Sequence, residues 1–236
     1  MGPGQVAGPR GAGEPERFVA ERLLMVESQI RARGVDDERV LAAMRELPRH
    51  LFVPPRLVDD AYGDWALPVA HGQTISQPYM VALMLQLAEL APGHRVLEIG
   101  TGTGYQTALL AALAGEVHSV ERIHDLLESA RARLKARGLA NVSLREGDGT
   151  LGWQAFAPYD RVLVAAAAPR VPEAIKRQLG ERGVLVIPVG GPGIQRLEVW
   201  RRTPDGPWDL KRYGECRFVP LLGADGWGGD RDGTGS

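Results

Sequence analysis

The chain has 236 residues, 44% hydrophobic and 24% charged, with 28 basic against 29 acidic side chains and a formal charge of −1. One large domain is expected, and collagen-like, wholly disordered and membrane-spanning classes are excluded: no apolar run approaches the roughly 18 residues of a membrane helix, and no secretory stretch marks the first 30 residues, so a cytoplasmic location is expected. Balanced charge argues against a general attraction to nucleic acid or an anionic membrane, and the single Cys216 forms neither an intrachain disulfide nor, by itself, a thiolate metal site.

Residues 1–16 hold five glycines and three prolines and are expected to be a flexible leader. Phe18, Val19, Leu23, Val26 and Ile30 recur at helical spacing over 16–33. A second helix is expected over 37–47, with Asp36 as cap and Val40, Leu41 and Met44 inward. Proline and aromatic residues dominate 48–68, and Pro78 suits the first turn of a helix running to about residue 90. From residue 95 short apolar runs alternate with amphipathic segments. Strands are expected at 95–99, 117–121, 142–145, 161–165 and 184–189, and helices at 105–114, 124–137 and 172–179. Segments 195–202 and 209–219 have no helix between them and should form an antiparallel hairpin. The expected fold is α/β: a doubly wound, mostly parallel seven-stranded sheet with that hairpin at its end and extra N-terminal helices. The domain spans 17–222, divided into 17–92 for the substrate and 93–222 for the cofactor. Residues 223–236 hold six glycines and read as a flexible tail that Trp227 could partly anchor.

The first strand runs into V-L-E-I-G-T-G-T-G-Y at 96–105. A glycine-rich turn after a parallel strand lets a ligand approach the main chain at the carboxyl edge of the sheet. A dinucleotide fingerprint from Gly100 and Gly102 needs a small residue where Tyr105 stands, and no Gly-Lys-Ser/Thr follows for a phosphate loop. A nucleoside cofactor without pyrophosphate remains. Glu121, at the end of the second strand, is placed to accept from both ribose hydroxyls, and Asp148 in G-D-G at 147–149 from an adenine amino group. Taken singly, Glu121 is also consistent with a surface acid paired to Arg122, and Asp148 with an ordinary Asx turn. Together the three loops resemble the S-adenosylmethionine site of class I methyltransferases.

A closer resemblance covers about residues 22–222. L-P-R-H-L-F-V-P at 47–54, G-Q-T-I-S-Q-P-Y-M-V-A at 72–82, the cofactor motif, A-A-A-A-P at 165–169 and R-F-V-P-L at 217–221 resemble the protein-L-isoaspartate O-methyltransferase family. The resemblance implies a Rossmann-like methyltransferase sheet and transfer of a methyl group from S-adenosylmethionine to the free α-carboxylate of L-isoaspartyl residues in damaged proteins. The ester then closes to a succinimide. It implies cofactor contacts from Glu98, Gly100, Thr101, Gly102, Gly104, Glu121, Arg122, Gly147, Asp148 and Gly149. It gives Ser76 the active-site role and Thr74, Ile75, Gln77, Phe218 and Val219 the substrate. Without the resemblance, Ser76 is also consistent with a residue that satisfies main-chain groups ahead of Pro78, and 217–221 is equally a core strand burying Phe218 and Leu221.

An α-carboxyl with a pKa of about 3.3 to 3.7 is already an anion at neutral pH, so no general base is needed. The five histidines are scattered without metal-ligand spacing, and no metal is expected. Rival readings are a nucleic-acid methyltransferase on the same fold, disfavoured by the charge balance and by A-A-A-A-P where amino-group methylases carry Asn/Asp-Pro-Pro-aromatic, and a catalytically silent S-adenosylmethionine-binding module. A monomer is expected.

Overall fold

Alternating apolar runs and amphipathic segments after residue 94 fold, in the computed structural model, into a seven-stranded sheet flanked by helices; residues 14–203 and 206–228 are described. The helices are α1 (Glu16–Leu24), α2 (Glu38–Glu46), α3 (Pro78–Leu87), α4 (Tyr105–Leu113), α5 (His124–Ala136) and α6 (Glu173–Arg177). The strands are β1 (Leu67–Pro68), β2 (Thr74–Ile75), β3 (Arg95–Ile99), β4 (Glu116–Glu121), β5 (Val142–Glu146), β6 (Tyr159–Val164), β7 (Leu179–Gly190), β8 (Gln195–Arg201) and β9 (Asp209–Cys216). The sheet order is β5-β4-β3-β6-β7-β8-β9, parallel from β5 across to β7 and antiparallel beyond. The doubly wound sheet and its terminal hairpin match the sequence expectation. Because β3 is covered on both faces, its side chains divide by the period of two: Val96 packs into the core with the N-terminal helices, Leu97 and Ile99 into the core with α6.

The helix expected over 16–33 is one helical run that widens into a π turn over Met25–Ile30 and ends at Gly34 in the left-handed conformation. The wider turn brings Met25, Val26 and Ile30 into the core together, each fully buried. The cap of α2 is Asp37, not Asp36: its carboxylate accepts from Arg39 N, while the N–H groups of both aspartates donate to Gln86 Oε1 on α3. A hairpin the sequence did not announce, β1 with β2, pairs Leu67 with Ile75 and Pro68 with Thr74.

The final strand stops at Cys216 rather than continuing to residue 219. The chain turns so that Val219 O accepts from Ala167 N and Leu221 N donates to Ala167 O, both at 2.8 Å, and Pro220 has no N–H to extend a ladder. Beyond it the flexible-tail expectation gives way for residues 223–228. Asp225 accepts from Glu173 N and pairs with Arg170, and Trp227 Nε1 donates to Ala167 O. Residues 229–236 lie outside the described residues, as do 1–13 of the expected leader; Glu14 pairs with the buried Arg22, and Glu16 already opens α1.

Candidate active site

At the carboxyl edge of β3 the chain makes the glycine turn 100–104 and enters α4 at Tyr105. Gly102 has φ of +54°, and a Cβ built there meets no protein atom within 4 Å, so the main chain is open to a ligand. Glu121, at the end of β4 and almost fully buried, accepts from Gly102 N at 2.9 Å, Arg122 N at 2.8 Å and Ile123 N at 3.0 Å. A carboxylate has about four acceptor sites, so these bonds fix Glu121 to both loops and leave it some capacity for a hydroxyl. The cleft above them has an open volume of about 880 Å³. It lies where the chain, after β3, β4 and β5, crosses back to β6, the topological switch point at which such sheets bind ligands. Ile99, Val120, Ile123 and Leu126 give it an apolar wall, Glu121 and Arg122 the charged groups among its described lining, and Gly149 and 219–222 its far side.

A second cleft, of about 950 Å³, opens beside it, between Asp64, Trp65, Ala66 and Met80 on one hand and Ile194 and 215–218 on the other. Thr74 and Ser76 line both clefts. Ser76 thus stands at the neck where the two spaces meet. Its main chain is held by Arg49, whose Nη2 donates to Ser76 O at 2.9 Å. The cap of α3 is Gln77, with no side-chain capping bond.

Of the candidate residues, the cofactor cleft gathers Gly100, Thr101, Gly102, Glu121, Arg122 and Gly149, together with Thr74, Ile75, Ser76 and Val219. Phe218 and Gln77 line the second cleft, but the Gln77 amide is committed: Nε2 donates to Asp64 O and Oδ1, both at 2.9 Å. Four cofactor candidates do not line the cofactor cleft. Glu98 is fully buried beneath the glycine turn, accepting from Gln106, Thr107 and Ser119; burial pushes its pKa up to about 7 against those bonds. Gly104 has φ of +86°, in the left-handed region that favours glycine, and a Cβ there would sit a tight 3.3 Å from Ala130 Cβ on α5. Gly147 closes the β5 edge by donating to Glu121 O. Asp148 is not among the lining residues of this cleft, and its carboxylate is engaged within the protein. Its Oδ1 accepts from Thr150 N and Oγ1, and its Oδ2 from Ala224 N at 2.8 Å, so it is an Asx cap that also clasps the C-terminal segment.

Sequence reasoning did not single out Tyr105, Ile123, Leu126 or Pro220 on the first cleft, or Asp64, Trp65 and Ile194 on the second. Ile123 and Leu126 follow Glu121 closely and were findable from the loop before α5. Trp65 and Ile194 carry no motif and meet only through the fold.

Residues 21–226 match the model of the family described as protein-L-isoaspartate(D-aspartate) O-methyltransferase (PCMT). A protein-L-isoaspartate O-methyltransferase of Rhodopseudomonas palustris is 51% identical over 211 residues, 89% of this chain and 86% of that protein. One from Methanoregula boonei is 51% identical over 212 residues, 88% of this chain and 95% of that protein. Among solved structures, a protein-L-isoaspartate O-methyltransferase superposes with a TM-score of 0.77 at 29% identity, covering 88% of this chain and 67% of that one. A beta-aspartate methyltransferase (PCMT) of Plasmodium falciparum, solved in complex with S-adenosyl-L-homocysteine, gives 0.74 at 25% identity, over 85% and 98%. A family model spanning nearly the whole described chain, relatives identical at half their positions and the same fold around an S-adenosyl ligand agree: this chain belongs to the protein-L-isoaspartate(D-aspartate) O-methyltransferase family.

Proposed function

We propose that the protein transfers a methyl group from S-adenosylmethionine to the free α-carboxylate of L-isoaspartyl residues in damaged proteins and peptides, forming an ester that closes to a succinimide and so restores aspartate. The observation that carries the reading is the meeting of two clefts at Thr74 and Ser76, because transfer needs a cofactor space and a peptide space that share one neck. The cofactor, when bound, supplies a methyl group already activated on a sulfonium. The first cleft suits it. Gly102 leaves main chain open, Glu121 would take the ribose hydroxyls, Ile123 and Leu126 offer an apolar face to the base, and little charge lines it to hold a pyrophosphate.

Ser76 orients the carboxylate by one donated hydrogen bond. No residue need withdraw a proton, because the nucleophile is already an anion at neutral pH. What the chain contributes is in-line positioning and exclusion of water. The second cleft suits an extended peptide. The 215–218 segment lines it and leads into 219–221, whose main chain is bound to Ala167 on the side of the first cleft, and such a segment offers main-chain recognition tolerant of side chain, as a repair enzyme requires. We take the enzyme as a cytoplasmic monomer acting on neither nucleic acid nor membrane; its balanced charge offers no general attraction to a polyanion or an anionic surface.

The test is methyl transfer from labelled cofactor to an isoaspartyl peptide, its aspartyl twin and bulk transfer RNA. Labelling of the first alone is expected. In the normal linkage the backbone path is one methylene shorter, so carboxylate and peptide cannot fill both subsites. Equal labelling of the two peptides, or labelling of the RNA, overturns the reading.

A further inference from the structure

Arg49 is fully buried in the proline-rich segment ahead of the hairpin, yet among the described residues it forms no ion pair. A guanidinium carries five N–H donors, and a buried one ordinarily meets a carboxylate. Here Nε donates to Ala61 O at 2.8 Å and Nη2 to Ser76 O at 2.9 Å, while Nη1 is buried with no partner. The face of Tyr105 lies 4.9 Å from its Cζ, and the Tyr105 hydroxyl is likewise buried and unpartnered. Tyr105 and Ser76 both line the cofactor cleft, and Ser76 lines the peptide cleft as well. An uncompensated cation therefore sits directly behind the wall at the neck. Burial lowers its pKa to about 10, which leaves it charged at neutral pH.

We propose that Arg49 is a positioning residue for methyl transfer: its guanidinium anchors the Ser76 main chain, and its unpaired positive charge gives the neck a field that selects a carboxylate-bearing substrate. The proposal rests on the isoaspartyl reading above. It assigns the field to the substrate carboxylate and not to the carboxylate of the cofactor, because the anchored residue also faces the peptide cleft and because Arg122 already lines the cofactor cleft. The field and the anchor act on different steps. Transfer removes the negative charge of the carboxylate, so a fixed cation favours the bound ion at least as much as the transition state and its contribution falls in KM. The anchor sets where the Ser76 hydroxyl stands, and its loss falls in kcat.

The experiment compares wild type, Arg49→Lys and Arg49→Met in steady-state kinetics with an isoaspartyl peptide, with S-adenosylhomocysteine affinity measured by calorimetry. Arg49→Met is expected to raise KM about tenfold or more and to lower kcat; Arg49→Lys, which keeps the charge but not the fork, is expected to lower kcat while KM stays within about threefold. S-adenosylhomocysteine affinity should hold within about threefold in both. Equal KM shifts in the two variants, unchanged KM in both, or a loss of S-adenosylhomocysteine affinity as large as the loss for peptide overturns the proposal. If Arg49→Met does not fold, Arg49→Lys decides: a raised KM with unchanged kcat refutes the assignment. Ser76→Ala keeps the carbonyl that Arg49 holds. An unaffected rate in Ser76→Ala would refute the role of the Ser76 hydroxyl and leave the lysine–methionine split standing, and a missing split would refute Arg49 and leave Ser76 standing. Labelling of the aspartyl twin by wild type would instead refute the isoaspartyl reading itself.

Discussion

The cofactor wall, which rises from β3 and β4, and the peptide wall, which faces it from residues 64–77, hold their residues by different means. On the cofactor side the functional loops are extensions of a parallel ladder: Gly100 N donates to Val120 O, Gly147 N to Glu121 O and Ala165 N to Ile99 O, so main-chain bonds carry register past the strand ends. On the peptide side the regular structure is two residues per strand, and side chains do the fixing. Arg49 holds Ala61 and Ser76, Gln77 holds Asp64, Arg33 pairs with Asp64, and His71 pairs with Asp125 across to α5. A wall made of main-chain bonds tolerates most side-chain changes; a wall made of side-chain clamps does not. Single substitutions should therefore affect cofactor affinity most where a side chain meets the ligand, and peptide turnover wherever a clamp is lost.

The sharpest test on the cofactor side is Glu121→Ala. It removes the proposed ribose acceptor and leaves Gly102 N, Arg122 N and Ile123 N without their common partner. Charge-assisted bonds are worth about 1.5 to 3 kcal/mol each, so S-adenosylhomocysteine affinity should fall by about a hundredfold or more in calorimetry. Unchanged affinity in a folded variant would break the assignment of Glu121.

Glu98 probes the same wall from below, without touching the ligand. Its folded pKa, about 7, lies above the ordinary value of 4.5 because the group is buried. The folded state then keeps a proton that the unfolded chain releases, and stability falls as pH rises from about 4.5 to about 7, flat on either side, by at most about 3 kcal/mol. Glu98→Gln should flatten that part of the stability profile measured by denaturant melts between pH 4.5 and pH 8, with cofactor affinity at pH 6 little changed. Parallel profiles for the two proteins would show that Glu98 is ionised when folded.

On the peptide side, Ser76→Ala should lower the single-turnover rate by about tenfold to a hundredfold, the worth of one bond of about 1.5 to 3 kcal/mol to a charged group, with S-adenosylhomocysteine affinity within twofold. The pH profiles of wild type and variant should have one shape, displaced vertically. A basic limb near neutrality that disappears in Ser76→Ala would demonstrate proton transfer and exclude a purely orienting serine.

The same contrast explains what was legible in the sequence. The β3–β7 strands are each five or more residues long with apolar side chains at two or more positions, the glycine turn follows the end of β3 and Glu121 ends β4, so strand, loop and cofactor cleft were readable together. The β1–β2 hairpin is too short for any periodicity, and Ser76 was found through its T-I-S-Q-P context alone. Arg49 lay in plain view in L-P-R-H-L-F-V-P, but a buried arginine without a counter-ion is a property of the packed structure. The clasp that Asp148 makes was not legible, because its partner, Ala224, is 76 residues away in a segment whose composition reads as a flexible tail.

That clasp gives the smallest of the expected effects and the one that most directly tests whether the cofactor wall is carried by its main chain. If Asp148 caps the 149–151 turn and clasps residue 224, Asp148→Ala loses an N-cap worth about 1 kcal/mol and the bond that holds the C-terminal segment, for a stability loss of about 1 to 2 kcal/mol in a denaturant melt. Leu221 and Leu222, just before the clasp, line the cofactor cleft, so some weakening of S-adenosylhomocysteine binding should accompany it. That weakening should be severalfold and well below the loss in Glu121→Ala, because Asp148 acts on the ligand only by keeping the far side of the cleft in place. Asp148→Asn separates the two roles. Its amide oxygen can still accept from Thr150, while its NH₂ group faces the Ala224 N–H and repels it, so the turn should survive and the clasp should open. Stability should then lie between wild type and Asp148→Ala, with proteolysis beginning near residue 223. If instead both variants retain wild-type stability and lose S-adenosylhomocysteine affinity as completely as Glu121→Ala, Asp148 binds the base directly and the clasp is incidental.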